Sequence, residues 1–265
     1  MHKPLRIAAI AAACAVAGAG LYGAGAATAG QSTANSTHEP YNIGLLVKDI
    51  DTYYGTTLDA NGVYQASADS QYAKDLARID AIAKKQIDKA ARKALRKGEK
   101  PAVVFDIDDT LLLSLDYEKK TNYTYNSTTW AEYVNKADRP AVFGTPELVQ
   151  YAESKGVEVF YNSGLSEAQR SAAVANLKKV GADVNLDTDH VFLKDKANPP
   201  SYLSACATPG TWTCTTVQYK SGTRKHIEED LGYSIVANFG DQYSDLEGGY
   251  ADETYKLPNP TYFVS

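Results

Sequence analysis

The stretch PAVVFDIDDT, residues 101–110, constrains this chain more than any other. Residues 102–105 form a short apolar run of the kind buried in a mainly parallel sheet. The run ends in Asp106, Asp108 and Asp109, three aspartates within four positions. Carboxylates this close raise one another's pKa, and one tends to protonate unless positive charge sits among them. A hard cation such as Mg²⁺, bound by oxygen ligands beside a phosphate, would supply that charge.

The remaining pattern alternates strand and helix. Tyr41–Gly55 reads as a short helical segment, and the spacing of Tyr72, Leu76, Ile79, Ala83, Ile87, Ala90 and Ala94 predicts a long amphipathic helix over 71–96, stopped at Gly98. Residues 113–145 are polar and aromatic, with Tyr117, Tyr123, Tyr125, Trp130 and Tyr133, a composition suited to a cap inserted over a site. A helix is expected over 146–154 and a strand over 157–161. Ser166 and Gln169 then form a capping box that opens a helix running to about Val180. Strands are expected over 190–193, 215–219 and 233–239, with a helix over 223–231. The fold class is therefore α/β: a Rossmann-like, mainly parallel sheet with helices on both faces and a small cap.

The first 29 residues read separately from this core. Lys3 and Arg6 precede a small, apolar stretch, and Ala27-Thr28-Ala29 offers a secretory cleavage pattern. A permanent anchor is the alternative, but the stretch is dominated by Ala and Gly, and a cleaved signal peptide over 1–29 is the expectation. The remaining domain, 30–265, would be secreted and extracellular. Cleavage removes two basic residues and no acidic ones, which moves the formal charge from −5 to −7. That balance gives no footprint for nucleic acid, so no stable nucleic-acid complex is expected, nor a transmembrane segment in the mature chain. Cys206 and Cys214 remain, an even pair across a short loop with Pro and Gly, bound for an oxidising compartment. Free thiols or a metal pair are the alternatives. No His or second Cys pair completes a zinc site, and a disulfide is favoured.

Ligands of open α/β sheets bind beyond the carboxyl ends of the strands. Four polar clusters fall at or near such ends: Asp106–Thr110, Asn162–Gly164, Tyr219–Ser221 and Gly240–Asp245. Together they could build phosphoryl chemistry. Asp106 would attack phosphorus, and Asp108 would protonate the leaving alcohol and then activate water. Thr110 and Ser163 would donate hydrogen bonds to phosphoryl oxygens, and Lys220 would offset the gathered charge. Asp241 would complete the cation's carboxylate pair, and Asp245 would ligate it or hold its other ligands in place. Asp109 reads as a residue of local geometry that begins or caps a turn.

These residues resemble the haloacid dehalogenase (HAD) superfamily. The likeness is closer to its secreted acid phosphatases, subfamily IIIB, which include bacterial class C acid phosphatases and plant vegetative storage proteins. Asp106-Ile107-Asp108-Asp109-Thr110 looks like the first motif, Ser163 the second, Lys220 in YKSGTR the third, and GDQYSDL with Asp241 and Asp245 the fourth. The ending KLPNPTYF resembles this branch in particular. The resemblance implies Mg²⁺-dependent hydrolysis of small phosphomonoesters through a phospho-aspartate. Its magnesium ligands would be the Asp106 carboxylate, the Asp108 main-chain carbonyl and Asp241, with Asp245 in support. A weakly active storage or binding protein and a phosphotransferase are the alternatives. The sequence departs from related ones at Leu165, where an arginine often follows the small residue of the second motif.

Overall fold

The computed structural model describes residues 40–264; the expected signal peptide lies outside them. The unit that contains the site begins at Asn42. Its centre is a five-stranded, all-parallel sheet: β1 (Lys100–Phe105), β2 (Glu158–Ser166), β3 (Val191–Lys194), β4 (Tyr233–Gly240) and β5 (Thr254–Lys256), in the spatial order β3-β2-β1-β4-β5. The short β5 was not expected from the sequence, where 233–239 reads as the last clear strand.

Strand β1 explains the layering. Its alternate side chains point to opposite faces. Val103 and Phe105 join a large core cluster with Ala83 and Ile87, while Ala102 and Val104 join a second cluster with Ile227 and Ile235. A strand buried on both faces must be apolar at every position, which is why AVVF carries no polar residue.

Four of the expected helices form with small shifts at their ends, α1 (Ile43–Tyr54), α2 (Gln71–Lys97), α5 (Thr145–Ser154) and α6 (Arg170–Lys179). The stretch 113–145, read only as a polar insertion, holds two further short ones, α3 (Leu115–Lys120) and α4 (Ser127–Asn135). Ser70 caps α2 through its hydroxyl, and Gly98 ends it at φ 70°, a conformation that glycine adopts without strain. The Ser166 and Gln169 capping box is present and opens a short 3-10 turn that leads into α6.

One expectation fails. Residues 215–219 are not a strand; they begin α7, a single helix over Thr216–Glu229. The β-branched Thr-Thr-Val favours extended backbone, but Thr215 accepts from Gln218 N and the Gln218 side chain accepts from Thr215 N, a second capping box that starts the helix. Tyr219, Lys220, Thr223, Arg224 and Ile227 are all buried along this helix, as a docked face requires.

Arg224 shows how α7 anchors the chain beyond β4. Its guanidinium donates to the main-chain carbonyls of Asp245 (2.5 Å), Glu247 (2.5 Å) and Gly249 (2.9 Å). Burial pushes its pKa down to about 10 against the pull of Asp245 and Glu228. Cys206 and Cys214 form a disulfide across a small hairpin, Ala207–Thr208 with Thr211–Trp212. No helix among the described residues is long and apolar enough to cross a membrane. Replacing Arg224 by Met should cost at least about 3 kcal/mol in urea unfolding, because three carbonyls lose a charged donor. A cost below about 1 kcal/mol would contradict this anchoring role.

Candidate active site

Strands β1, β2 and β4 are adjacent and end on the same side of the sheet, so the residues after them meet. Asp106 leaves β1 and Asp241 leaves β4, and both are buried. Lys220, from α7, is 2% exposed, and its Nζ lies 2.5 Å from Asp106 Oδ1 and 2.9 Å from Asp245 Oδ1. Lys220 also donates to the Asn162 carbonyl, while the Asn162 amide donates to the Lys220 carbonyl at 3.0 Å. This reciprocal pair ties the second motif's strand end to the helix that carries the third.

Four of the expected residues and one supporting residue surround a single cavity of about 540 Å³: Asp106, Asp108, Lys220, Asp241 and Asp245. Thr110 and Ser163 are fully buried and do not line it. The Ser163 hydroxyl accepts from Leu165 N at 3.1 Å, and the Thr110 hydroxyl has no hydrogen-bond partner among the described residues. Asp109 sits at φ 53° and accepts from the Ser114 N–H at 2.8 Å and from the Ser114 hydroxyl. It therefore closes the turn after β1.

Charge governs this site. Burial pushes Asp106 up, opposed chiefly by the Lys220 ammonium. Burial also works against the charge on Lys220, but Asp106 and Asp245 outweigh it and hold its pKa above the usual lysine value. Asp241 is pushed up to about 7 by burial and by the charges of Asp245 and Asp109. Two amides oppose that shift by donating to the same Asp241 oxygen, Asn259 and Gln242, each at 2.7 Å. Asn259 lies in the PNPTYF ending, so that segment helps to build the site.

Asp106, Asp241 and Asp245 each offer one carboxylate oxygen, all within 4.8 Å of one another. This buried acidic cluster can coordinate a divalent metal ion, and a donor set made only of oxygen suits a hard cation. The Asp108 side chain points elsewhere: its carboxylate pairs with Arg139 Nη1 at 2.5 Å. Arg139 is 2% exposed, its Nε and Nη2 have no partner among the described residues, and its guanidinium lies 5.5 Å from the Trp130 ring.

The opposite wall comes from α3, α4 and the turn between them, with Glu118, Tyr123, Tyr125 and Trp130. Burial and the Asp109 charge push Glu118 up to about 7. Tyr117, Trp130 and Tyr133 pack as a cluster with centroids 5.0–5.9 Å apart, which stiffens this wall.

Sequence reasoning missed Arg139, Lys194, Glu118 and Asn259. Arg139 and Glu118 lie inside a polar stretch where charged residues are ordinarily solvated. Lys194 is the last residue of β3, a strand end where a lysine ordinarily faces water. Asn259 stands in the quoted ending, whose family-specific character was the only available signal.

Residues 47–265 match the family described as HAD superfamily, subfamily IIIB (acid phosphatase). The chain belongs to that family. It is 36% identical over 170 residues to the stem 28 kDa glycoprotein of Glycine max, covering 62% of this chain and 61% of that protein. To acid phosphatase 1 of Solanum lycopersicum it is 32% identical over 165 residues, covering 61% and 58%. The chain thus spans about three fifths of the length of these curated relatives. The solved class C acid phosphatase from Bacillus anthracis shares the fold, with a TM-score of 0.54, 24% identity, and coverage of 73% of this chain and 81% of that one.

The glycine of the fourth motif is required by packing. A Cβ on Gly240 would fall 2.4 Å from the Asp245 Cβ and 2.8 Å from its Oδ2. Gly240→Ala should therefore push Asp245 away from Lys220, cost about 1–3 kcal/mol of stability, and weaken divalent-metal binding measured by calorimetry. A variant with unchanged Tm and unchanged divalent-metal affinity would refute this packing argument.

Proposed function

We propose that this protein is a secreted acid phosphatase that hydrolyses small phosphomonoesters through a phospho-aspartate on Asp106, with Mg²⁺ as its cation. The observation that carries this reading is the buried Lys220 ammonium between Asp106 and Asp245, beside Asp241 and open to the cavity. Family membership supports the same reading. A structural salt bridge would have little reason to be built from this excess of carboxylates at the floor of a cavity.

In this mechanism an Asp106 carboxylate oxygen attacks phosphorus as the bond from phosphorus to the leaving oxygen breaks. Asp108, held at the cavity by Arg139, gives its proton to the departing alcohol. It then takes a proton from water, whose oxygen attacks the phospho-aspartate, and the bond from phosphorus to the Asp106 oxygen breaks to release phosphate. Lys220 holds Asp106 in place and balances its charge. Thr110 and Ser163 are assigned to phosphoryl oxygens; their burial requires that the group sit deep or that the loops adjust. When bound, Mg²⁺ would neutralise phosphoryl charge, held by the Asp106 carboxylate, the Asp108 main-chain carbonyl and Asp241, with Asp245 in support. Residues 113–145 are assigned as a cap whose aromatic wall receives the alcohol part of the substrate.

Phosphate release from several monoesters, with and without Mg²⁺, tests this directly beside Asp106→Asn. Turnover should depend on metal and fall on the order of 10³-fold or more in the variant. The spread of kcat/KM among the esters reads what the cap recognises. Equal activity in both proteins would end the covalent mechanism, and no activity on any ester would favour a storage or binding role.

Export is supported by the N-terminal pattern and by the Cys206–Cys214 disulfide, a bond that persists in oxidising compartments. The secreted protein should begin at Gly30. Recovery of a chain that still starts at Met1 would contradict cleavage.

A further inference from the structure

One cation in the cavity wall is uncommitted. Lys194 closes β3, next to β2, and so reaches the cavity from the carboxyl end of a parallel strand. Its ammonium stands over Gly164 of the second motif, where an added Cβ would lie 3.7 Å from Nζ. Among the described residues it has no carboxylate partner and donates no hydrogen bond; the nearby Asp106 and Asp245 are engaged by Lys220 instead. Its one distinct contact is the Tyr219 ring, with Nζ 5.5 Å from the centroid. A ring face steadies an ammonium without occupying its three donors.

An ammonium half removed from water with no acceptor is unfavourable unless a ligand supplies one. Burial and the neighbouring Lys220 charge both push its pKa down, as expected where an anion would relieve the crowding. The second motif has no cation of its own to offer. Leu165 is turned into the core at 2% exposure. Arg170, the next cation in sequence, is already bonded to the Glu167 carboxylate and to the Val191 carbonyl at 2.8 Å.

We propose that Lys194 binds the phosphoryl group of the substrate, supplying from β3 the cation that Leu165 leaves out of the second motif. The two lysines then divide the work. Lys220 holds the nucleophile and Asp245, whereas Lys194 keeps its donors for phosphoryl oxygens. A flexible ammonium acts as a point charge and can reach any of those oxygens, so it need not reproduce the geometry of an arginine. The proposal rests on the phosphatase reading and adds a substrate-binding residue to it.

The test compares wild type with Lys194→Met and Lys194→Arg at fixed pH and ionic strength. It measures kcat and KM for one monoester, the inhibition constant of inorganic phosphate, and Tm. In Lys194→Met, KM and the phosphate constant should rise together, by about tenfold or more, as expected for a lost charged hydrogen bond. The fall in kcat should be smaller, and Lys194→Arg should recover most of the phosphate affinity. Wild-type values of KM and of the phosphate constant in Lys194→Met would overturn the assignment while leaving the phosphatase reading intact. Phosphate affinity lost only in step with a fall in Tm, and not restored by arginine, would mark a structural lysine and also overturn it. A wild-type protein that neither turns over any ester nor binds phosphate would overturn the phosphatase reading, and this proposal with it.

Discussion

The site depends on one buried ammonium. Asp106, Asp241 and Asp245 are gathered in a space where each would repel the others, and their burial weakens the screening that water would give. Lys220 relieves that repulsion by bridging Asp106 and Asp245. To place a lysine there, α7 must dock with its charged side chain inward, which is unfavourable unless the ammonium is fully partnered. The Asn162 carbonyl completes its set, and the return bond from the Asn162 amide fixes the helix to β2. Arg224, one turn along the same helix, holds the chain that carries Asp245. One face of one helix thus sets Asp106, its neutralising charge and the opposing carboxylate.

The sheet order explains why residues so far apart in sequence can meet. β1 lies between β2 and β4, and its pairings end at Phe105↔Tyr161 and Phe105↔Phe239, so Asp106, Asn162 and Asp241 just beyond them are neighbours. β3 lies one strand further out, and Lys194 reaches inward from there across Gly164. The order of the strands therefore grades the cavity, with the densest charge at its centre and the uncommitted cation at its side.

Much of this was legible in the sequence, because strand burial and helix amphipathicity leave periodic traces. AVVF and the apolar spacing of α2 needed no tertiary information. Residues 215–219 show where local reasoning fails. Thr-Thr-Val carries a strand-like composition and Thr215–Gln218 a helix-start signal, and the burial of Lys220 and Arg224 decides between them. Asp106, Lys220 and Asp241 could be proposed from their strand-end motifs. Arg139 could not, because its partner Asp108 is 31 residues away and only the fold brings them together. Thr110 and Ser163 were read as phosphate donors from their motifs, yet both are buried outside the cavity lining, a depth that no spacing encodes.

The cavity's two sides have different origins. Its floor is assembled from strand ends and α7, so a change there disturbs the packing of the sheet. Its opposite wall is drawn from one continuous stretch, Glu118 to Trp130, stiffened by the Tyr117, Trp130 and Tyr133 cluster. Such a stretch can change sequence without moving Asp106 or Lys220. Under the proposed reaction the floor acts on phosphorus, which is the same in every monoester, and the wall meets the alcohol, which is not. Glu118 gives that wall a polar point among aromatic rings. The tie between the two sides is Arg139, which pairs with Asp108 on the floor and lies against Trp130 in the wall. In the proposed reaction, an alcohol received by the wall would therefore lie beside Asp108, the carboxylate assigned to protonate it.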